Sequence, residues 1–112
     1  MKFLKQFQNS DRYKIINHLK IQANKLDSFA IKDVDFIKVD TQGYNYEILE
    51  GSIKTLENTL GVETEVEFSK VYNNQKLFGD VSNILLKNNF EFIDFTILKR
   101  WNRYNKSNYG QC

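Results

Sequence analysis

A chain of 112 residues with 41% apolar and 14% aromatic side chains has enough material for one core, which excludes disorder as its default state and suits one domain or a piece of a larger one. Sixteen basic residues against fourteen acidic ones leave a formal charge of +2, so no overall field points to nucleic acid or to a membrane surface. The single cysteine, Cys112, excludes an internal disulfide and fits a reducing cytoplasm, no apolar run reaches the length of a membrane span, and the apolar part of Met1 to Gln8 is too short for a signal peptide.

Residues 1–33 read as a loosely patterned helical segment, with Phe3, Leu4 and Phe7, then Ile15, Ile16 and Leu19, on roughly one face. Asn9-Ser10-Asp11 interrupts it and is placed to cap a second helix near Arg12. Leu26 to Phe29 reads as a short turn or helical turn. Residues 34–112 carry sharper signals. Val34, Phe36, Ile37 and Val39 make a short apolar run, as expected of a strand covered on both faces. Asp40 stands at its exit and Gly43 supplies a turn. Ile48, Leu49, Ile53, Leu56 and Leu60 then recur at helical spacing, and Gly61 stands where a helix-ending glycine belongs.

From Val62 to Phe68 the chain alternates strictly, with Val62, Thr64, Val66 and Phe68 on one side and Glu63, Glu65 and Glu67 on the other. That is a strand, and its three carboxylates predict a face that is solvated or lines a polar site over part of its length. Phe78, Val81, Ile84 and Leu85 mark a further helix, and Phe90, Phe92, Ile93 and Phe95 a further strand. The tail from Lys99 to Cys112 is basic, aromatic and without pattern. The order strand, helix, strand, helix, strand predicts an α/β fold with parallel strands joined by crossover helices. Three such strands leave open edges, so the chain reads as an incomplete part of a doubly wound sheet. Its five glycines, at 43, 51, 61, 79 and 110, are never closer than eight residues, so no Gly-rich nucleotide loop is present.

The run Val34-Asp35-Phe36-Ile37-Lys38-Val39-Asp40-Thr41-Gln42-Gly43, followed by Glu47-Ile48-Leu49-Glu50-Gly51, resembles a segment of FkbM-type methyltransferases that reads D-x-I-K-I-D-x-[EQ]-G and then E-x-L-x-G. Gly61 to Phe68, Leu77-Phe78-Gly79-Asp80 and Asn89 to Phe95 resemble the same family in the same order, over about two-thirds of the chain. The resemblance implies a class I methyltransferase (Rossmann-like) sheet and methyl transfer from S-adenosylmethionine to a hydroxyl of a small molecule or sugar. Two departures from the family lead us to read the chain as the C-terminal portion of such a domain, with little affinity for the cofactor by itself: its cofactor half is missing, and it is expected to stop where a final β-hairpin would follow. Asn45 departs from the glutamate that many relatives carry there.

Against that background Asp40 and Glu65 are the candidate catalytic residues. Open α/β sheets bind ligands outside the carboxyl ends of their strands, and a carboxylate there can hold an acceptor hydroxyl and take its proton. Asp40 serves equally as a cap of the following helix. Glu65 serves equally as one of three glutamates on a wet face. Gln42 and Glu67 are the candidate substrate-binding residues, with turn stabilisation the other reading of Gln42 and solvation that of Glu67. Lys38 reads as half of a structural ion pair, and His18 as a surface or satisfied residue without a catalytic partner. No metal site is expected, because no histidine or further carboxylate follows at ligand spacing. The basic and aromatic tail has the composition of a single-strand nucleic-acid contact, which a solvated end explains as well. A different class of function stays open: a non-catalytic α/β interaction module that self-associates through its sheet edges into a homo-oligomer.

Overall fold

The computed structural model describes residues 14–103 and 106–111, with side chains as far as residue 100. Strand β1 (Phe36–Val39) pairs in parallel with β2 (Gly61–Thr64), in a register that sets Phe36 opposite Gly61 and Val39 opposite Thr64. The connection between parallel neighbours has to cross over, and two short helices make it: α1 (Asn45–Glu50) and α2 (Ile53–Leu56). Helix α3 (Phe78–Lys87) follows β2 and packs against α1. An antiparallel pair, β3 (Lys99–Arg103) and β4 (Lys106–Gln111), ends the described chain. The result is a mixed helix and strand unit with a small parallel sheet, of α/β character.

Val39, Leu49, Leu56, Val66, Val81 and Ile84 form the buried core, one or two from each of four segments that the apolar periodicity marked between Val34 and Leu85. Helix α3 is the longest element and the best specified. Asp80 accepts a hydrogen bond from the Leu77 amide at 2.9 Å, satisfying a donor that the first turn leaves open. At its other end the Asn88 side chain donates to the Ile84 carbonyl at 2.7 Å, and Asn89 turns the chain away at φ 66.

Several expectations differ from the observed fold, each for an identifiable reason. The helix expected across 45–60 is broken at Gly51-Ser52. The Ser52 hydroxyl bonds back to the Ile48 carbonyl, and the carboxylate of Asp27 caps a new helix by accepting from the amides of Lys54 (3.0 Å) and Thr55 (2.9 Å) and from the Thr55 hydroxyl (2.8 Å). Helix α2 then stops at Leu56, so Leu60 lies beyond the apolar stripe and is 84% exposed. Gly61 is not a helix terminator. It opens β2, where a Cβ would stand 2.9 Å from the Phe36 ring, so the missing side chain lets the two strands meet.

Asp27 belongs to a three-ten turn over Leu26–Phe29, as the sequence predicts, but residues 14–25 ahead of it contain no helix. Ile15, Ile16 and Leu19 are exposed there, and a helix without a packed apolar face has little to hold it. The part of that helix assigned to residues 1–13 lies outside the described residues. Strand β1 is not covered on both faces: Val39 is buried while Phe36 and Lys38 face solvent.

The third parallel strand, expected over 90–95, does not form. Phe92 and Phe95 bring their ring centroids within 4.8 Å of each other and join Phe68 and Phe78 in one aromatic cluster. Residues three apart in a strand face opposite ways, so packing both rings into one cluster is incompatible with a regular ladder. An apolar cleft of about 620 Å³ lies between β2 and segment 90–97 instead. The sheet is accordingly two-stranded among the described residues, far short of a doubly wound array. In the tail the correction runs the other way: the β3–β4 hairpin forms where no pattern was legible and where the chain was expected to stop short of a hairpin. The nucleic-acid reading of Trp101, Arg103, Tyr104, Lys106 and Tyr109 falls on side chains outside those described.

Candidate functional site

The parallel register places the two candidate carboxylates side by side. Val39 and Thr64 are the last paired residues of β1 and β2, so Asp40 and Glu65 leave the sheet as neighbours at its carboxyl end. The Glu65 amide donates to the Val39 carbonyl at 3.1 Å, which carries the pairing one step past the ladder. Asp40 is exposed and Glu65 half-buried. Partial burial raises the pKa of Glu65 above the ordinary carboxyl value, and the proximity of Asp40 pushes it the same way. Lys99, at the start of β3, opposes the shift with its positive charge. Nothing in the tail's composition singles out Lys99; the fold brings it there.

Asn45, the first residue of α1, supports the pair from beneath. Its side-chain oxygen accepts from the Thr41 amide at 2.9 Å and the Thr41 hydroxyl at 2.6 Å, and its side-chain nitrogen donates to the Glu65 carbonyl. The sequence marks this position as a departure from the family pattern, without a role.

Gln42 and Glu67 do not join the carboxylates in the same way. The Gln42 side-chain oxygen accepts a hydrogen bond from the Tyr72 hydroxyl at 3.2 Å on the exposed rim. The Tyr72 ring lies over Gly43, which takes φ 89 and whose Cβ would stand 2.5 Å from the ring edge. The loop after β1 is therefore clasped to the loop before α3. Gln75 completes the clasp: its side-chain oxygen accepts from the amides of Val71 and Tyr72 at 2.8 and 3.1 Å. Glu67 is 5% exposed, not on a solvated face, and its carbonyl accepts from the Phe78 amide at the start of α3. Alternation ceases to dictate facing once the ladder ends at Thr64, and the backbone of Glu67 is tied to α3 instead of to a neighbouring strand.

Lys38 pairs with Glu63 directly across the β1–β2 register, Nζ to carboxylate 2.8 Å, as a structural ion pair on the surface. That hydrogen bond and the charge of Glu63 raise the pKa of Lys38. His18 sits on the exposed segment ahead of the three-ten turn. Among the described residues no group of three or more histidines, cysteines, aspartates or glutamates is arranged to hold a metal ion, and no helix is long and apolar enough to cross a membrane.

The glycines bear on nucleotide binding. The open faces of Gly43, Gly51 and Gly61 are filled by Tyr72, Lys25 and Phe36, and Gly79 lies within α3. None of the four offers bare backbone in a loop to a phosphate or an adenosine.

Residues 3–92 match the model of the methyltransferase FkbM domain. The chain belongs to the FkbM methyltransferase family. The match takes in Asp40, Asn45, Glu65 and the Tyr72–Gln75 turn, and it begins well ahead of Val34, so the segment before β1 is part of the family's domain too. The hairpin β3–β4, including Lys99, lies beyond it. Comparison with curated proteins and with solved structures returns no match. For this FkbM-family chain, methyl transfer is thus established at the level of the family, and the carboxyl end of the β1–β2 pair is where its polar side chains converge.

Proposed function

We propose that this chain forms the acceptor side of an O-methyltransferase of Rossmann-like fold, with a hydroxyl of a small molecule or sugar as the methyl acceptor. The observation that carries the reading is the Asp40–Glu65 pair at the carboxyl ends of two adjacent parallel strands, the position at which open α/β sheets bind ligands. Methylating a hydroxyl requires an aligned oxygen and a group to take its proton. Asp40, exposed at the rim, orients the acceptor through a second polar group beside the reacting hydroxyl, which donates its own hydrogen bond to Glu65. Glu65 receives the proton, and its raised affinity for protons makes it a stronger base than an ordinary glutamate. Gln42 and Tyr72 border the approach on the loop side.

S-Adenosylmethionine is the methyl donor that methyltransferases of this kind use. The described residues do not fit its cradle, since their glycines are occupied by side chains or lie within a helix. Cofactor binding therefore falls to sequence outside them, and the chain by itself binds the cofactor weakly. Calorimetric titration of the isolated chain is expected to show no micromolar binding of S-adenosylmethionine, and such binding would refute this division of labour.

The acceptor-side reading is tested by labelled-methyl transfer to hydroxylated acceptors, using the protein expressed from its native locus with whatever sequence flanks it there. Glu65→Gln and Asp40→Asn are each expected to lower transfer by about 10²- to 10⁴-fold, the usual contribution of a positioned acid or base. Transfer within about twofold of wild type in both variants would remove the pair from the chemistry.

A further inference from the structure

Asn45 is 3% exposed and its amide is used in both directions. On one side it accepts twice from Thr41, the residue after Asp40; on the other it donates to the carbonyl of Glu65, twenty positions along the chain. One side chain thus ties together the backbone on both flanks of the carboxylate pair. We propose that Asn45 is the positioning residue of that pair, clamping the loop after β1 to the end of β2 so that Asp40 and Glu65 stay adjacent. The inference rests on the reading of Asp40 and Glu65 as the acceptor site, and extends it to a residue that touches neither carboxyl.

The chemistry of the position is selective. Glu65 offers a carbonyl and needs a donor, whereas Thr41 offers an amide and a hydroxyl and needs an acceptor. An amide side chain supplies both ends at once; a carboxylate lacks the donor. An ionised side chain at this buried spot would also add a third negative charge beside two carboxylates. Asparagine fixes the geometry while leaving the local charge alone. The charged groups that act on Glu65 are Asp40 and Lys99, with opposite signs, so the proton affinity of Glu65 reports how closely Asp40 is held.

The test is carbon-13 carboxyl NMR titration of Glu65 in the whole chain, in wild type, Asp40→Asn, Asn45→Ala and the double variant. If Asn45 positions the pair, Asp40→Asn and Asn45→Ala each lower the Glu65 midpoint, and the double variant lowers it no further than Asp40→Asn alone. A merely structural Asn45 would leave the midpoint at its wild-type value, or shift it equally with and without Asp40, and either result overturns the inference while sparing the pair. A midpoint unmoved by Asp40→Asn would sink the pair itself, and the inference with it. Should Asn45→Ala fail to fold, Thr41→Val removes the hydroxyl half of the clamp alone; it is expected to lower the midpoint less, and an unchanged midpoint there counts against the proposal.

Discussion

Replacing Gly43 with alanine tests how the loop after β1 is held. Gly43 has φ 89, a conformation that costs a residue with a Cβ about 1–2 kcal/mol. The new methyl group would stand 2.5 Å from one Tyr72 ring carbon and 3.0 Å from the next, so the ring has to move. Moving it breaks the hydrogen bond from the Tyr72 hydroxyl to Gln42, worth about 0.5–1.5 kcal/mol and nearer the lower figure at an exposed site. Together these give a destabilisation of about 1.5–2.5 kcal/mol, measurable by urea unfolding followed by circular dichroism. Gly79→Ala is the control. Gly79 lies in α3 with nothing within 4 Å of its prospective Cβ, so the same substitution is expected to stabilise by about 0.5–1 kcal/mol. Gly43→Ala with stability within about 0.5 kcal/mol of wild type, or a Gly79→Ala variant equally destabilised, would refute the reasoning.

The remaining predictions concern the cap and the core. Asp27→Ala removes the acceptor of three donors at the start of α2 and is expected to cost about 1 kcal/mol in chemical unfolding. Desolvation works to raise the pKa of Asp27, but hydrogen bonds from Lys54 and Thr55 outweigh it and hold the carboxyl below its usual value. Its stabilisation is therefore present above the unfolded-state pKa near 4 and lost as pH falls through the lower folded value. Unfolding measured from pH 6 to pH 2 should lose that part of its pH dependence in Asp27→Ala, and an identical acid limb in variant and wild type would contradict the capping role. Leu49→Ala, at a fully buried core position, is expected to cost about 2–5 kcal/mol, and Leu60→Ala, at an exposed one, almost nothing. Similar losses at the two positions would show that the apolar stripe is misassigned.

Much of the fold is legible in the residues because it depends on local period and on turn chemistry. Val39, Leu49, Leu56, Val66, Val81 and Ile84 all stand on stripes that their spacing marks as apolar. Gly43 announces a turn by its type, and the Leu26 to Phe29 turn is likewise visible. Reading fails where a distant partner intervenes. The break at Gly51-Ser52 depends on Asp27, whose carboxylate reaches Lys54 and Thr55 from outside the helix. The missing third strand depends on four phenylalanines from three segments meeting in one cluster.

The candidate site divides along the same line. By itself the sequence determined that a carboxylate, Asp40, leaves one strand and that another, Glu65, lies on the next, because strand position follows from period. Their adjacency, the opposing charge of Lys99 and the clamp of Asn45 were decided by the tertiary structure alone. Parallel pairing is set by the crossover between strands, not by either strand, and a one-residue change of register would turn Glu65 to the opposite face. Side-chain period places a residue on a surface, while chemistry needs two residues from different segments at bonding distance.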